Sequence, residues 1–281
     1  MSEAAEGDRV GEIFGRGRVS AASDPSPFTV RVGWGEEGAA ALGPTSDVVV
    51  VVDVITFTTA VSVAMDRGCS VHPSRWDDGS ATQLAARLGA ELAVSRSLVD
   101  EDHPYSLSPE TLSRLPFGAS IVLPSPNGSA VSVAAATGRA VVIAGSLRNA
   151  SAVARFARRA GRVISVIAAG ERWPDQSLDP ALEDQIGAGA IVDGLRRRRR
   201  SPEAQAAAAV FLQARRRGLR ASLRQTVSGR EQAARGYGQE VEWAAALNVS
   251  AVVPVLRDGA FRPGGPGTVR QTLPLEFDGG S

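Results

Sequence analysis

Short runs of β-forming residues alternate along the chain with alanine-rich, helix-forming stretches. Four runs end in small or polar residues; they are Val48–Val52, Ser120–Leu123, Val141–Ala144 and Val163–Ala168. In open α/β sheets, ligands bind beyond the carboxyl ends of parallel strands. Free N–H groups at helix N-termini there bind anions. The pattern therefore predicts a ligand site suited to a phosphate ester and a hard metal ion.

The same pattern predicts the remaining elements. The other predicted strands are Phe28–Trp34, Ser70–Pro73, Glu91–Val94 and Ala251–Arg257. The predicted helices are Thr58–Arg67, Thr82–Gly89, Ser129–Ala136, Asn149–Arg159, Ser201–Arg217, Ser222–Gly236 and Val241–Leu247. The apolar run Val48–Val54 is typical of a strand buried on both faces. Alternating strands and helices indicate an α/β fold, a three-layer α/β/α sandwich with a mostly parallel, mixed sheet.

Segments rich in glycine and proline predict the boundaries of the folded domain. We expect residues 1–27 to be disordered or loosely attached, residues 28–261 to form one α/β domain, and residues 262–281 to be a flexible Gly/Pro-rich tail. Gly35–Ser46 is predicted to be a loop. Another helix is predicted from Pro180, with Asp179 as its N-cap, to about Arg200. Ala251–Arg257 is expected to be the last strand of the fold.

Composition excludes several kinds of chemistry. All 31 basic residues are arginine, which removes every mechanism that needs lysine. The single cysteine rules out an intrachain disulfide and a cysteine zinc site. No apolar run reaches the roughly 18 residues that span a bilayer, and the first 22 residues lack a signal-peptide core. We therefore expect a cytoplasmic protein without a membrane partner.

The chain is nearly neutral, with a net charge of +1. The run Arg196–Arg200 is the local exception. It is typical of the solvated C-terminal end of a helix, where cations complement the helix dipole. A patch for nucleic acid or an acidic partner is the alternative. We expect no nucleic-acid partner. The sequence leaves open whether the chain forms a homo-oligomer.

Two strand ends carry the clearest candidate chemistry. Asp53 could hold Mg²⁺, act as a nucleophile, or cap the helix that follows it. An aspartyl-phosphate mechanism is rejected because Ile55 occupies the position of its second aspartate. The segment Ser125-Pro126-Asn127-Gly128-Ser129 has the Asn-Gly pair of a β-hairpin. It could equally be an anion-binding turn before a helix.

Two later motifs have both a structural and a functional interpretation. Asn149 is expected either to cap a helix or to contact an anion together with Ser146, while Arg148 could clamp an anionic group through its planar fork. Glu183 and Asp184 either complement a helix dipole or contribute one ligand to a site, because adjacent helical residues point about 100° apart.

A cysteine-phosphatase motif is also present by spacing. Cys69 and Arg75 are separated by five residues, as in enzymes whose thiolate attacks phosphorus. The intervening segment has no glycine and looks like a strand. We interpret this match as coincidence.

From about Asp53 to Pro254, the order of these motifs resembles the 2-phosphosulfolactate phosphatase family, which are Mg²⁺-dependent enzymes of coenzyme M biosynthesis. Asp53–Thr59 is similar to the family's Asp-Val-Leu-Arg-Ala-Thr-Thr. Further resemblances are Ser125–Ser129 to Thr-Thr-Asn-Gly-Thr, Ser146–Asn149 to Ser-Leu-x-Asn, Leu182–Asp184 to Leu-Glu-Asp, and Ser228–Val241 to the closing Gly-Arg…Gly…Asp-Val.

The resemblance implies a Mg²⁺-dependent phosphatase acting on a small anionic phosphate ester. It implies catalytic and metal-holding roles for Asp53, Glu183 and Asp184. The phosphate and the rest of the substrate would contact residues at three strand ends, namely Asn127, Gly128, Ser129, Ser146, Arg148 and Asn149.

The chain departs from the family at several motif positions. Thr56 replaces an arginine, Val94–Ser97 replaces a Gly-Glu segment, and Glu240 stands for an aspartate. Arg96 could supply the charge that is missing at Thr56. The alternative hypothesis is a catalytically impaired or repurposed member that binds a small anion or a protein partner.

Overall fold

The computed structural model describes residues 26–75, 79–196 and 198–264. Its strands are β1 (Val30–Trp34), β2 (Val48–Val52), β3 (Ser70–Ser74), β4 (Glu91–Leu92), β5 (Ser120–Pro124), β6 (Val141–Gly145), β7 (Ile164–Ala168), β8 (Glu171–Arg172), β9 (Leu178–Asp179), β10 (Pro254–Arg257) and β11 (Ala260–Pro263). Most of the segments predicted to be flexible, 1–27 and 262–281, lie outside the described residues.

Helices flank these strands. They are α1 (Gly35–Leu42), α2 (Phe57–Asp66), α3 (Ser80–Leu88), α4 (Pro109–Leu112), α5 (Gly128–Ala135), α6 (Ala150–Ala160), α7 (Leu182–Gly194), α8 (Pro202–Arg217), α9 (Leu219–Arg224), α10 (Val227–Ala234) and α11 (Gln239–Ala245). No helix within the described ranges has both the length and the apolar character needed to cross a membrane.

Nine strands form one mixed sheet in the order β1-β7-β2-β6-β10-β11-β3-β5-β4. Strands β1, β7, β2 and β6 are mutually parallel, and so are β3, β5 and β4. The antiparallel hairpin β10–β11 joins these two sets. The predicted three-layer α/β fold with a mostly parallel sheet is confirmed.

Strand β2 shows why the sheet is covered on both faces. It consists of five valines that are all fully buried. Val48, Val50 and Val52 belong to a core with residues of α6, α7 and α8. Val49 and Val51 belong to a second core with residues of α1 and α5. Because side chains alternate between faces along a strand, an uninterrupted valine run suits a strand between two helical layers.

The sheet must curve for its two parallel sets to share a site. Five strand spacings of about 4.8 Å, or about 24 Å, would separate β2 from β5 in a flat sheet. The backbone N–H of Gly128, four residues after β5, nevertheless donates to Asp53 Oδ2 across 2.9 Å. The carboxyl ends of β2 and β5 therefore meet, although the strands are not neighbours.

The predicted loop at Gly35–Ser46 is wrong. The structure has α1 there, followed by a 3-10 turn at Gly43–Thr45. Glu36 and Glu37 lie in the first turn of α1, where negative charge is favourable. Gly38 looks like a helix breaker in the sequence, but a Cβ there would lie 3.3 Å from the Cα of Gly33. The glycine therefore serves close packing rather than a turn.

The predicted helix from Pro180 to about Arg200 begins and ends elsewhere. Asp179 is not its N-cap, because Asp179 pairs with Glu171 in the small β8–β9 sheet. Helix α7 starts at Leu182 and stops at Gly194. After it, Arg200 forms a bridge with Val30 of β1, so the chain has already turned back toward the sheet.

Two further predictions near the C-terminus need correction. The helix predicted over Ser222–Gly236 is two helices, α9 and α10, separated at Thr226, whose side chain accepts the N–H of Gly229 as an N-cap. The strand predicted over Ala251–Arg257 is not the last one, since β11 follows β10 through a turn at Asp258 and Gly259, both with positive φ.

Candidate active site

A cavity of about 250 Å³ opens where the carboxyl ends of β2 and β5 meet. Its walls come from segments that are far apart in the sequence. Polar and charged lining residues include Asp53, Thr56, Arg96, Asn127, Glu171 and Arg235. Both acidic and basic side chains thus face one small space.

Asp53 is fixed at the base of this cavity. Its Oδ1 accepts the N–H of Phe57 across 3.0 Å, and its Oδ2 accepts the N–H of Gly128 across 2.9 Å. Burial and the nearby charge of Glu183 raise its pKa to about 6, although these two N–H groups act in the opposite direction. The orientation of the carboxylate is therefore fixed, and a bound cation would stabilise its ionised form.

Asp184 and Glu183 lie in the first turn of α7, directly behind Asp53. Asp184 accepts N–H groups from Val54 and Gly170, across 2.7 and 2.9 Å. It thereby ties the ends of β2 and β7 together. Glu183 is 1% exposed, and its Oε1 has no partner among the described residues. A buried carboxylate oxygen without a donor is costly, so a cation or ordered water fits there.

Glu171 also lines the cavity, although the sequence motifs predicted no role for it. Its Oε2 accepts the side-chain N–H of Asn127 across 2.7 Å. Burial, followed by the charge of Asp53, raises its pKa to about 8. The sequence did contain a signal, because Glu171 is the polar residue of the short Ala-Gly-Glu segment that follows β7.

The Asn-Gly segment after β5 forms a strand–turn–helix, which excludes the hairpin interpretation. Asn127 lines the cavity, whereas the Gly128 N–H is directed to Asp53. Ser129 is fully buried and donates to the carbonyl of Leu123. Of the predicted phosphate contacts in this segment, the structure places only Asn127 at the cavity wall.

Ser146, Arg148 and Asn149 are not brought to the cavity. Asn149 is fully buried and accepts the N–H of Ser146, as a capping residue does. Arg148 pairs with Asp66 across 3.1 Å and lies over the ring of Trp243. Because internal partners occupy these groups, we do not include the three residues in the proposed site.

Arg96 does reach the position next to Thr56. Its Nη2 lies 3.4 Å from Thr56 Oγ1, and its guanidinium pairs with both carboxylate oxygens of Glu240. The ring of Tyr237 lies 5.2 Å from the guanidinium carbon. The structure thus places a positive charge beside Thr56, supplied by a different segment of the chain.

The cysteine-phosphatase interpretation has no support. Cys69 is fully buried, and its thiol lies 3.4 Å from the carbonyl oxygen of Pro116. Burial raises the pKa of this thiol, whereas a nucleophilic cysteine needs a lowered one. Arg75 pairs instead with Glu36.

The arginine run after α7 is used largely for internal contacts. Arg196 pairs with Asp193, and Arg200 donates to the carbonyl of Val192 near the end of α7. Arg198 donates to carbonyls at the end of α6. Arg197 lies outside the described residues. Arg196, Arg198 and Arg200 therefore complement helix C-termini, as the dipole interpretation predicts.

The carboxylates fit a metal that needs few protein ligands. In the part of the chain that the structure describes, no three acidic, histidine or cysteine side chains form a complete metal cluster. Mg²⁺ is commonly held by one or two carboxylates and several waters. Asp53 and Glu171 face the cavity, and the charge of Asp53 raises the pKa of Glu171 while the charge of Glu183 raises that of Asp53. A bound cation would offset this repulsion, and the unpartnered Glu183 oxygen adds to the need for one.

Comparison with known proteins identifies the family. The family described as 2-phosphosulpholactate phosphatase matches residues 39–259 of the 281-residue chain. No individual curated protein matches the chain. The matched range contains every cavity residue discussed above and all strands from β2 to β10. The chain therefore belongs to the 2-phosphosulpholactate phosphatase family.

Proposed function

We propose that the chain is a Mg²⁺-dependent phosphatase that hydrolyses a small acidic phosphate ester, either 2-phosphosulfolactate or a related phosphorylated hydroxy acid. One observation carries the proposal. The buried carboxylate of Asp53 and the half-buried carboxylate of Glu171 share a cavity of about 250 Å³ with Arg96 and Arg235. A site with both signs of charge suits a substrate that brings anions and a cofactor that brings a cation.

Asp53 and Glu171 are the residues that would hold Mg²⁺, with Glu183 behind them. Bound there, the ion would stabilise the negative charge that develops on the phosphoryl group and would help to activate a water. The protein's own part is to keep Asp53 oriented through the N–H groups of Phe57 and Gly128. Asn127 does the same for Glu171.

The size of the cavity limits the substrate. A volume of about 250 Å³ is below the roughly 300–1,000 Å³ typical of pockets for drug-sized ligands. A phosphorylated three-carbon acid suits such a space, whereas a nucleotide or phosphoprotein would bind mostly outside it. The proposed partner is therefore a small anionic metabolite.

Phosphate release tests the proposal. Purified protein is incubated with 2-phosphosulfolactate, 2-phospholactate or p-nitrophenyl phosphate, each with Mg²⁺ and with EDTA. We expect release in Mg²⁺, strongest with the acidic esters, and none in EDTA. Absence of metal-dependent release from every ester would contradict the proposal and favour a non-catalytic member that binds a small anion.

A further inference from the structure

The cavity contains an arginine pole that is separate from its carboxylate pole. We use "arginine pole" for Arg96 and Arg235, and "carboxylate pole" for Asp53 and Glu171, all of which line the cavity. Among the described residues, the ion pairs of Arg96 and Arg235 are made with Glu240 and Glu231. The two poles therefore do not neutralise each other and are both available to a ligand.

Arg96 is held in place before any ligand arrives. Its Nε and Nη2 donate to the two carboxylate oxygens of Glu240, whose side chain is only 4% exposed. Tyr237 stacks on the guanidinium. A guanidinium carries five N–H donors, and no described residue accepts from Nη1. Two N–H groups in a fixed orientation remain for an anion.

Arg235 is held much less tightly. Its pair with Glu231 has a length of 3.4 Å, and the two side chains are 65% and 56% exposed. Exposed pairs of this kind contribute little to stability. Arg235 is therefore free to turn toward a ligand in the cavity mouth.

Gln232 adds a neutral group to the same wall. It lines the cavity, and its buried Oε1 has no partner within the described residues. Buried polar atoms are nearly always hydrogen-bonded, so this acceptor is suited to a donor supplied by a ligand or an ordered water. Gln232 lies in the last turn of α10, and Arg235 is the residue directly after that helix, so both reach the cavity from the same segment.

Position 56 explains why Arg96 can occupy this place. Thr56 has a short side chain, and its hydroxyl lies within hydrogen-bonding distance of both Arg96 and Glu240. A long side chain at position 56 would compete for the space that the guanidinium fills. The charge beside β2 thus comes from the loop after β4.

We propose that Arg96 and Arg235 form a specificity subsite that binds the second anionic group of the substrate, a sulfonate or carboxylate, while the carboxylate pole and its metal take the phosphate. This inference rests on the proposed function. It predicts that the arginine pole selects esters of acids over esters of neutral alcohols. A purely structural role for Arg96, holding Glu240 and α11 in place, predicts no such selection.

Substrate selectivity tests the subsite. We would measure kcat and KM for the wild type, Arg96→Gln and Arg235→Gln with 2-phosphosulfolactate, 2-phospholactate and p-nitrophenyl phosphate. Loss of a charge-assisted contact should lower kcat/KM for the two acidic esters about tenfold or more, mainly through KM. The ester of the neutral phenol should change less than about twofold. A larger loss with 2-phosphosulfolactate than with 2-phospholactate would identify sulfonate as the preferred group.

Arg114→Gln is the matched control. Arg114 is exposed and pairs with Glu110 four residues away, as Arg235 pairs with Glu231, but it does not line the cavity. It should leave every rate constant unchanged. Equal losses on all three esters in Arg96→Gln and Arg235→Gln, or no loss on any, would overturn the proposal.

A binding measurement separates this inference from the proposed phosphatase activity. Arg96→Gln leaves the buried carboxylate of Glu240 without its partner and could therefore unfold the protein. The double variant Arg96→Gln/Glu240→Gln removes both charges of the pair and is used for the binding measurement instead. Calorimetry then follows binding of sulfolactate, which has no phosphate. Binding by the wild type and Arg114→Gln, with loss in Arg235→Gln and the double variant, supports the subsite even if no ester is hydrolysed. Equal sulfolactate affinity in all variants contradicts the subsite even if phosphate is released.

Discussion

Gly128 lies where a side chain cannot be accommodated. A Cβ built on it would lie 2.4 Å from the ring of Phe57 and 2.6 Å from Asp53 Oδ2. The same residue donates its N–H to that oxygen. The close approach of backbone to carboxylate is what fixes Asp53 toward the cavity.

We therefore predict that Gly128→Ala removes most activity and lowers the free energy of unfolding by about 1–3 kcal/mol, as overpacking does in other cores. Urea unfolding and phosphate release measure the two effects. Gly138→Ala is the control, because the nearest atom to its added Cβ would be 3.9 Å away. Normal activity in Gly128→Ala would show that the orientation of Asp53 is not needed.

Residues at the ends of strands could be predicted from the sequence, and residues contributed by distant segments could not. Asp53 follows buried β2 directly and Asn127 lies three residues after buried β5, so local pattern places them at the cavity wall. Gln232 reaches the cavity only through the packing of α10, and no sequence signal marks it. Arg148 follows a neighbouring strand in the same way as Asp53, but its distant partners Asp66 and Trp243 hold it inside the protein.

At the scale of elements, α7 carries Glu183 and Asp184 to the site because it packs closely on both sides. A Cβ on Gly187 would lie 2.4 Å from Val54, and one on Gly189 would lie 2.0 Å from the backbone oxygen of Ala207 in α8. Both glycines are visible in the sequence, but the elements that approach them are not. The helix start predicted at Pro180 is wrong because Asp179, which resembles an N-cap in the sequence, pairs with Glu171 of β8.

Gly189→Ala should separate α7 from α8. Backbone cannot move aside as a side chain can, so we predict a loss of about 1–3 kcal/mol in the free energy of unfolding despite alanine's higher helix propensity. Denaturant unfolding measures it. Gly43→Ala, whose added Cβ would meet nothing within 4 Å, serves as the control. Equal stability of the two variants would contradict the tight α7–α8 contact.

At the scale of the whole molecule, the buried carboxylates make stability depend on pH. Folding raises the pKa of Glu171 from 4.5 to about 8 and that of Asp53 from 3.8 to about 6, mainly through burial. At a pH between the unfolded and folded pKa values of each group, the folded state therefore binds more protons than the unfolded state. Their stabilising effect is complete at low pH and is lost as the pH rises.

We predict that the metal-free protein has a lower free energy of unfolding at about pH 8 than at about pH 5. Urea unfolding in EDTA measures this difference. Glu171→Gln should reduce it, whereas Glu110→Gln, at an exposed position, should not. A free energy of unfolding that rises with pH over this range would show that folding does not raise the pKa values of these two carboxyl groups.

The curved sheet brings the two parallel sets of strands together at one cavity, where we propose that Mg²⁺ bound by the carboxylate pole supports phosphate release. The most direct measurement is a Mg²⁺ titration of phosphate release from 2-phosphosulfolactate by the wild type, Glu171→Gln and Glu110→Gln. We predict saturable activation in the wild type and Glu110→Gln, and a requirement for about tenfold more Mg²⁺ or greater in Glu171→Gln. Undiminished release in EDTA, or identical Mg²⁺ requirements in all three proteins, would show that the carboxylate pole does not hold a catalytic Mg²⁺.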